Sequence, residues 1–304
     1  MNLMDLFIKI GVEDSASGPI KKLSGAVGNG LKTAAKIGTA AIAATAAAVA
    51  TLAKQAVTAY ADYEQLVGGV ETLFSNLEGT VSAAPEVLAN AERAYRTAGL
   101  SANEYMETVT GFSAALIAGL EGDYSRAAEI SDMAITDMAD NANKMGTSME
   151  SIQAAYQGFA KQNYTMLDNL KLGYGGTRSE MERLLSDAEA FSGVHYDISN
   201  LADVYEAIHV IQTEMGIAGT TAQEASTTIS GSLSMVKAAW RNLLAGLGRE
   251  DVDMDQLIGE LVDSALTAFN NLLPVIGRAL KGIGELIVGI APVIVKELPG
   301  LIAQ

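Results

Sequence analysis

Several stretches of this chain hold residue types at spacings that chemistry uses. Asp251-Val-Asp253-Met-Asp255 opens like a calcium loop, in which alternate carboxylates supply hard oxygen ligands. Such a loop needs glycine at its sixth position and glutamate at its twelfth, where this chain has Gln256 and Val262. The run reads instead as the acidic first turn of a helix, where negative charge meets the positive end of the helix dipole. Ser234-Met-Val-Lys237 has the Ser-x-x-Lys spacing of enzymes that acylate a serine. The companion Ser-Asp-Asn and Lys-Thr-Gly motifs are missing, and the run falls within a helical pattern. Gly173-Tyr-Gly175-Gly176-Thr177 is a glycine-rich turn before a helix, the position of a phosphate loop. It lacks the Gly-Lys-Ser/Thr ending, and no β-branched run precedes it as a feeding strand, so it reads as a corner between helices. His195 and His209 are the only histidines, and neither sits in His-Glu-x-x-His. The apolar face of the helix around His209 is complete without it, so the ring is expected to face solvent. There is no cysteine, which excludes disulfides, thiolate metal sites and cysteine nucleophiles. The sequence therefore predicts no catalytic, cofactor-binding or metal-ligating residue, no cofactor, and no enzyme.

Charge narrows the partners. The 304 residues carry 20 Lys+Arg against 36 Asp+Glu, a formal net charge of −16. Phosphate contacts need clustered basic side chains, so sequence-specific nucleic-acid binding is not expected. The distribution is uneven. Residues 1–54 hold six basic residues (Lys9, Lys21, Lys22, Lys32, Lys36, Lys54) and three acidic ones (Asp5, Glu13, Asp14), a net of +3, so the remainder carries −19. A basic arm on an acidic body suggests contact with an acidic partner or with other copies of the chain, although a solvated helix face has the same composition.

Few aromatics, abundant alanine and the near absence of alternating β-branched runs predict an all-α chain. Residues 1–30 form an N-terminal arm whose start, Met1 to Val12, alternates enough for a short strand, and Asp5 rules out a secretory signal there. Residues 31–69 form an Ala-rich hydrophobic helix. Its uncharged stretch, Ile37 to Ala53, would span about 26 Å, slightly under a bilayer core. Ala40, Ala44 and Ala48 make a small-residue stripe that suits close helix packing in a bundle or in lipid. The bundle is preferred because alanine gains little on entering a membrane.

Residues 70–250 read as a packed multi-helix domain. Four candidate capping boxes mark helix starts at Ser101, Thr147, Thr177 and Thr221, each with Glu three residues on. Behind them lie apolar faces: Tyr105, Val109, Phe112 and Leu116; Ile130, Ala134 and Met138 in a helix over Tyr124 to Met145; Met181, Leu184, Leu185, Ala188 and Phe191; Leu201, Val204, Tyr205, Ile208, Ile211 and Met215 behind an Asn200 cap. One long helix is expected from Thr221, with Ile229, Leu233, Val236, Trp240, Leu243, Leu244 and Leu247 on one side. After an acidic hinge at 248–255, residues 251–304 are apolar helix broken by Pro274, Pro292 and Pro299. Their charges make a clean membrane span unexpected.

The stretch ANKMGTSMESIQAAYQGFAKQNYTMLDNLKLGYGGTRSEMERLL resembles the signature of phage tail tape measure proteins, of the type found in phages, prophages and phage-tail-like particles of Gram-positive bacteria. The similarity runs from about Ala61 to Leu247. It includes YRTAGLSANEYMETVTGFSAALI before that stretch and TTAQEASTTISGSLSMVKAAWRNLLAGL after it. The resemblance implies a structural helical ruler in the lumen of the tail tube, made in the host cytoplasm, that sets tail length and leaves ahead of the DNA. It implies tail tube protein, baseplate hub and distal tail proteins, tail terminator, assembly chaperones and other copies of the chain as partners, with host membrane contact at ejection. It also implies that these residues are the N-terminal part of a longer product. A reading from another class, independent of the resemblance, is a secreted helical protein that forms pores through its Ala-rich segment.

Overall fold

The structure, a computed structural model, describes residues 39–76, 80–276 and 278. The N-terminal arm, the first residues of the Ile37–Ala53 stretch and nearly all of 277–304 lie outside them. The chain is all-α, as its periodicity predicts. An isolated antiparallel bridge between Ser75 and Ser82 closes the loop after the first helix.

The helices are α1 (Thr39–Leu73), α2 (Ala84–Thr97), α3 (Ala102–Thr110), α4 (Ser113–Gly119), α5 (Tyr124–Met145), α6 (Met149–Phe159), α7 (Arg178–Ser192), α8 (Leu201–Glu214), α9 (Thr220–Thr227) and α10 (Ile229–Gly246), with a 3-10 turn at Leu167–Leu170. A last helix, α11, occupies 254–276. Among the described residues no helix is long and apolar enough to cross a membrane.

Two layers can be told apart by what fills them. The main core joins the end of α1 to α2 through α8. Its centre is aromatic: Phe112 meets Tyr205 edge-on at 5.4 Å between ring centroids, Tyr205 lies 5.0 Å from Tyr156, and Tyr156 leads on to Phe159 at 5.7 Å. Rings at these separations gain from dispersion and from edge-to-face electrostatics beyond the area they bury. The Tyr205 hydroxyl is satisfied by donating to the Tyr156 carbonyl at 2.9 Å. The second layer is α9, α10 and α11. One of its apolar clusters is Tyr95, Ala225, Met235, Ala238 and Ala239, against which Leu261 packs. Val236, Leu243, Leu244 and Ala245 of α10 and Ala268 of α11 are buried as well, so apolar burial also holds this layer.

Polar clasps add to that attachment. Asn242 on α10 accepts the Ala102 backbone N–H at 2.8 Å, at the start of α3. Arg241 pairs with Glu104. Asn271 on α11 donates to the Ser226 and Thr228 carbonyls at 3.1 and 3.2 Å. In the hinge, the Arg249 guanidinium lies over the Tyr63 ring at 4.5 Å and pairs with Glu92 and Asp251, which ties α1, α2 and the hinge together.

The helix starts follow the expected chemistry in part. Ser101 forms a full capping box with Glu104. Thr177 caps α7 by accepting from the Glu180 N–H, but the Glu180 carboxylate reaches Gly175 N–H instead of completing the box. The expected box at Thr147 is displaced by one residue. Ser148 caps α6, because the Thr147 hydroxyl donates to the Asn169 carbonyl. The expected long helix from Thr221 is two helices. Thr228 ends α9 and caps α10, its hydroxyl accepting from the Gly231 N–H. The expected face through Tyr105, Val109, Phe112 and Leu116 is buried throughout, although the chain breaks after Thr110 and resumes as α4 at Ser113. Four expected core positions lie on the outside: Phe191, Met215, Leu233 and Leu247 are exposed. In the glycine-rich corner, Gly173 has φ +88°, which favours glycine, and a Cβ on Gly176 would collide with the Thr165 carbonyl oxygen.

α1 meets the body along its second half. Asn103 donates to the Ala59 carbonyl at 3.0 Å, and Val70 and the following Phe74 are fully buried. Ahead of that, Leu52 and Val57 are exposed, the latter to 70%.

Candidate functional site

The face of α5 that carries Ile130, Ala134 and Met138 also carries Asp137, Asp140 and Asn141. A helix places residues three and four apart on one side, so these polar groups enter the core with the apolar ones. All three are buried, with at most 1% of each residue exposed. Each is used by a different element. Asn141 donates to the Leu170 carbonyl at 2.9 Å and fixes the 3-10 turn. Both oxygens of Asp137 face Nδ1 of His209 on α8, at 2.9 and 3.0 Å. Asp140 accepts the Gly219 and Thr221 backbone N–H groups at 2.5 and 2.6 Å, and so caps α9 from 79 residues earlier in the chain.

α9 has no cap of its own. Its N-cap is Gly219, at φ +80°, with no side chain to accept a bond. The first N–H groups of any helix need an acceptor, and a carboxylate also complements the dipole. Asp140 fills both roles from another helix. Asn143 donates to Glu224 at 2.9 Å, and Lys144 lies 3.9 Å from the same carboxylate. The last turns of α5 thus grip α9 at three places.

Burial is the main reason the Asp137 carboxyl is pushed up to about 6. The hydrogen bond and charge of His209 pull the other way, and Asp140 adds to the rise. His209 is held above the ordinary imidazole value chiefly by its hydrogen bond to Asp137, against partial burial. The expectation that His209 faces solvent is half right: its side chain is 40% exposed, but Nδ1 is turned inward onto Asp137.

A carboxylate that orients an imidazole is two thirds of a nucleophilic triad. Among the described residues, the hydrogen bonds of His209 go to Asp137 alone, so no serine or threonine hydroxyl stands on the ring to be activated. No group of three His, Asp or Glu among the described residues is placed to share a metal ion. The arrangement orients and fastens helices.

The other stretches noted in the sequence have local partners. Asp251 pairs with Arg249, and Asp253 accepts the Asp255 and Gln256 N–H groups at 2.9 and 3.2 Å, which makes it the acidic start of α11. Ser234 and Lys237 are exposed on α10. His195 is exposed and bonds Glu189 at 3.0 Å. Sequence reasoning missed the buried acids of α5. The available signal was two aspartates within the apolar stripe of a helix whose bounds were already plain.

One cleft, of about 830 Å³, opens between α1, α2, the hinge and α11. It is lined by both signs of charge, including Arg93, Arg96 and Arg249 with Glu92, Glu260 and Asp263. Compared with known protein families, curated proteins and solved structures, the chain shows no match.

Proposed function

We propose that the chain is a structural assembly protein, a tail tape measure protein that sets tail length as a helical ruler inside the tube. The structural observation that supports the reading is α1. It runs for 35 residues without a break, about 52 Å at 1.5 Å per residue, and its second half is docked on the body. A rod anchored at one end on a compact domain suits a protein that converts residue number into length. The acidic balance outside residues 1–54 suits a removable occupant of a tube better than a protein that grips DNA. The sequence resemblance contributes the rest of the reading: the tube protein, baseplate hub and distal tail proteins, terminator, chaperones and further copies of the chain as partners, the tube lumen as location, and host membrane contact at ejection.

The test is genetic. In-frame deletions and duplications in the helical regions of the gene should shorten and lengthen the tail in proportion, by up to about 1.5 Å per residue. Tails of unchanged length across such a series, measured by electron microscopy, would overturn the ruler.

A further inference from the structure

We propose that Asp137, Asp140 and His209 form a protonation-operated latch that holds α9, and with it the α9–α11 contact, on the α5–α8 core. The latch is closed while His209 carries its proton and eases when the proton leaves. It is a property of the chain alone and does not depend on the tail-length reading.

The geometry carries the argument. Asp137 and Asp140 lie three residues apart on one buried face of α5. Asp137 faces the imidazole, and Asp140 holds the start of α9. The charges acting on the pair are few. α5 supplies Asp140, and α8 supplies Glu206, which is itself paired with Arg126 at the other end of α5. α6 places the Tyr156 phenol nearby, within reach of both aspartate charges, and at the α9 edge Glu224 answers Lys144. The His209 imidazole is therefore the titratable cation of this buried site. With its proton, two carboxylates share one positive charge. Without it, two carboxylates face each other across one helical turn in a medium that screens poorly. The group that can yield is Asp140, because its partners are backbone N–H groups at a helix end.

A path leads outward from α9. Thr228 is both the C-cap of α9 and the N-cap of α10, so it alone separates the two. Asn271 of α11 bonds the Ser226 and Thr228 carbonyls at that same corner. Easing α9 therefore reaches α11, whose Leu266, Phe269 and Leu273 are exposed. These contacts form a contiguous set from α5 to α11.

The sign follows from linkage. Asp137 has a folded value raised to about 6, so the fold favours its protonated form, and that contribution is lost as pH rises through about 6. His209 is raised as well, so its contribution is present in full below the ordinary imidazole value and is lost as pH rises through the folded value. Both shifts run the same way: the latch is firmest in mild acid and weakest in mild alkali.

Hydrogen exchange of the full chain at pH 6 and pH 8, corrected for intrinsic exchange rates, tests this. Protection over 218–228 should fall at the higher pH, while protection over α7 holds. In Asp137→Asn the fall over 218–228 should disappear. Equal changes in both segments, or an undiminished fall in Asp137→Asn, would overturn the latch. If that variant does not fold, an NMR titration of the unaltered chain decides. The His209 ring and the Gly219 amide should shift with one midpoint, above the ordinary imidazole value, and separate midpoints reject the coupling.

Discussion

The main core and the α9–α11 layer solve the same problem differently. In the core, Phe112, Tyr156, Phe159 and Tyr205 interlock, and removing any one leaves a hole that its neighbours cannot fill. In the second layer the buried side chains are fewer and mostly smaller, among them Met235, Val236, Leu243 and Leu244, and bonds at points add to them: Asp140 on α9, Asn242 on α3, Asn271 on the α9–α10 corner, Arg249 across the hinge. Dispersed packing gives one cooperative unit. Point clasps give a unit that opens in steps, because each bond contributes locally and depends on geometry and protonation.

Four substitutions sharpen or break that contrast. Phe112→Ala should cost the most, about 3–5 kcal/mol, and urea unfolding should show both layers lost in one transition; separate transitions would mean the core does not organise the whole. Asp140→Ala should come next, at about 2 kcal/mol for the lost cap and the uncovered N–H groups of α9. Its mark should be local, with exchange protection lost over α9 and kept over α7. Ser101→Ala removes a full capping box inside the well-packed layer and should cost about 1 kcal/mol, seen as a lower urea midpoint with unchanged slope. Arg241→Ala breaks an exposed ion pair with Glu104 and should shift stability by less than about 1 kcal/mol. A larger loss there would show that surface pairs, and not buried clasps, fasten α10.

Legibility in the sequence followed how local each device is. The bounds of α5, Tyr124 to Met145, and the buried face of Ile130, Ala134 and Met138 are as the periodicity predicts, because aspartate before the helix and glycine after it are near-neighbour signals. The box at Ser101 is likewise written in four consecutive residues. The box expected at Thr221 failed because its acceptor comes from Asp140, which no window of that length includes. Thr147 and Ser148 compete for one cap, and the winner is settled by the Asn169 carbonyl, which draws the Thr147 hydroxyl away. The Asp137–His209 pair was hidden for the same reason: 72 residues separate its members. What pointed to it was a charged residue inside an apolar stripe, a local inconsistency of the kind that accompanies a special role.

The docked half of α1 also decides how the rest of that helix forms. Starting a helix is costly, because several residues must be ordered for a single hydrogen bond, whereas extending one adds a bond for each residue fixed. The body orders α1 around Tyr63, Val67 and Val70, so it acts as a permanent nucleus, and the alanine-rich turns toward Thr39 need only propagate from it. On warming, helix should melt back from Thr39 toward the body while the core stays intact, and the rod would shorten gradually before anything unfolds.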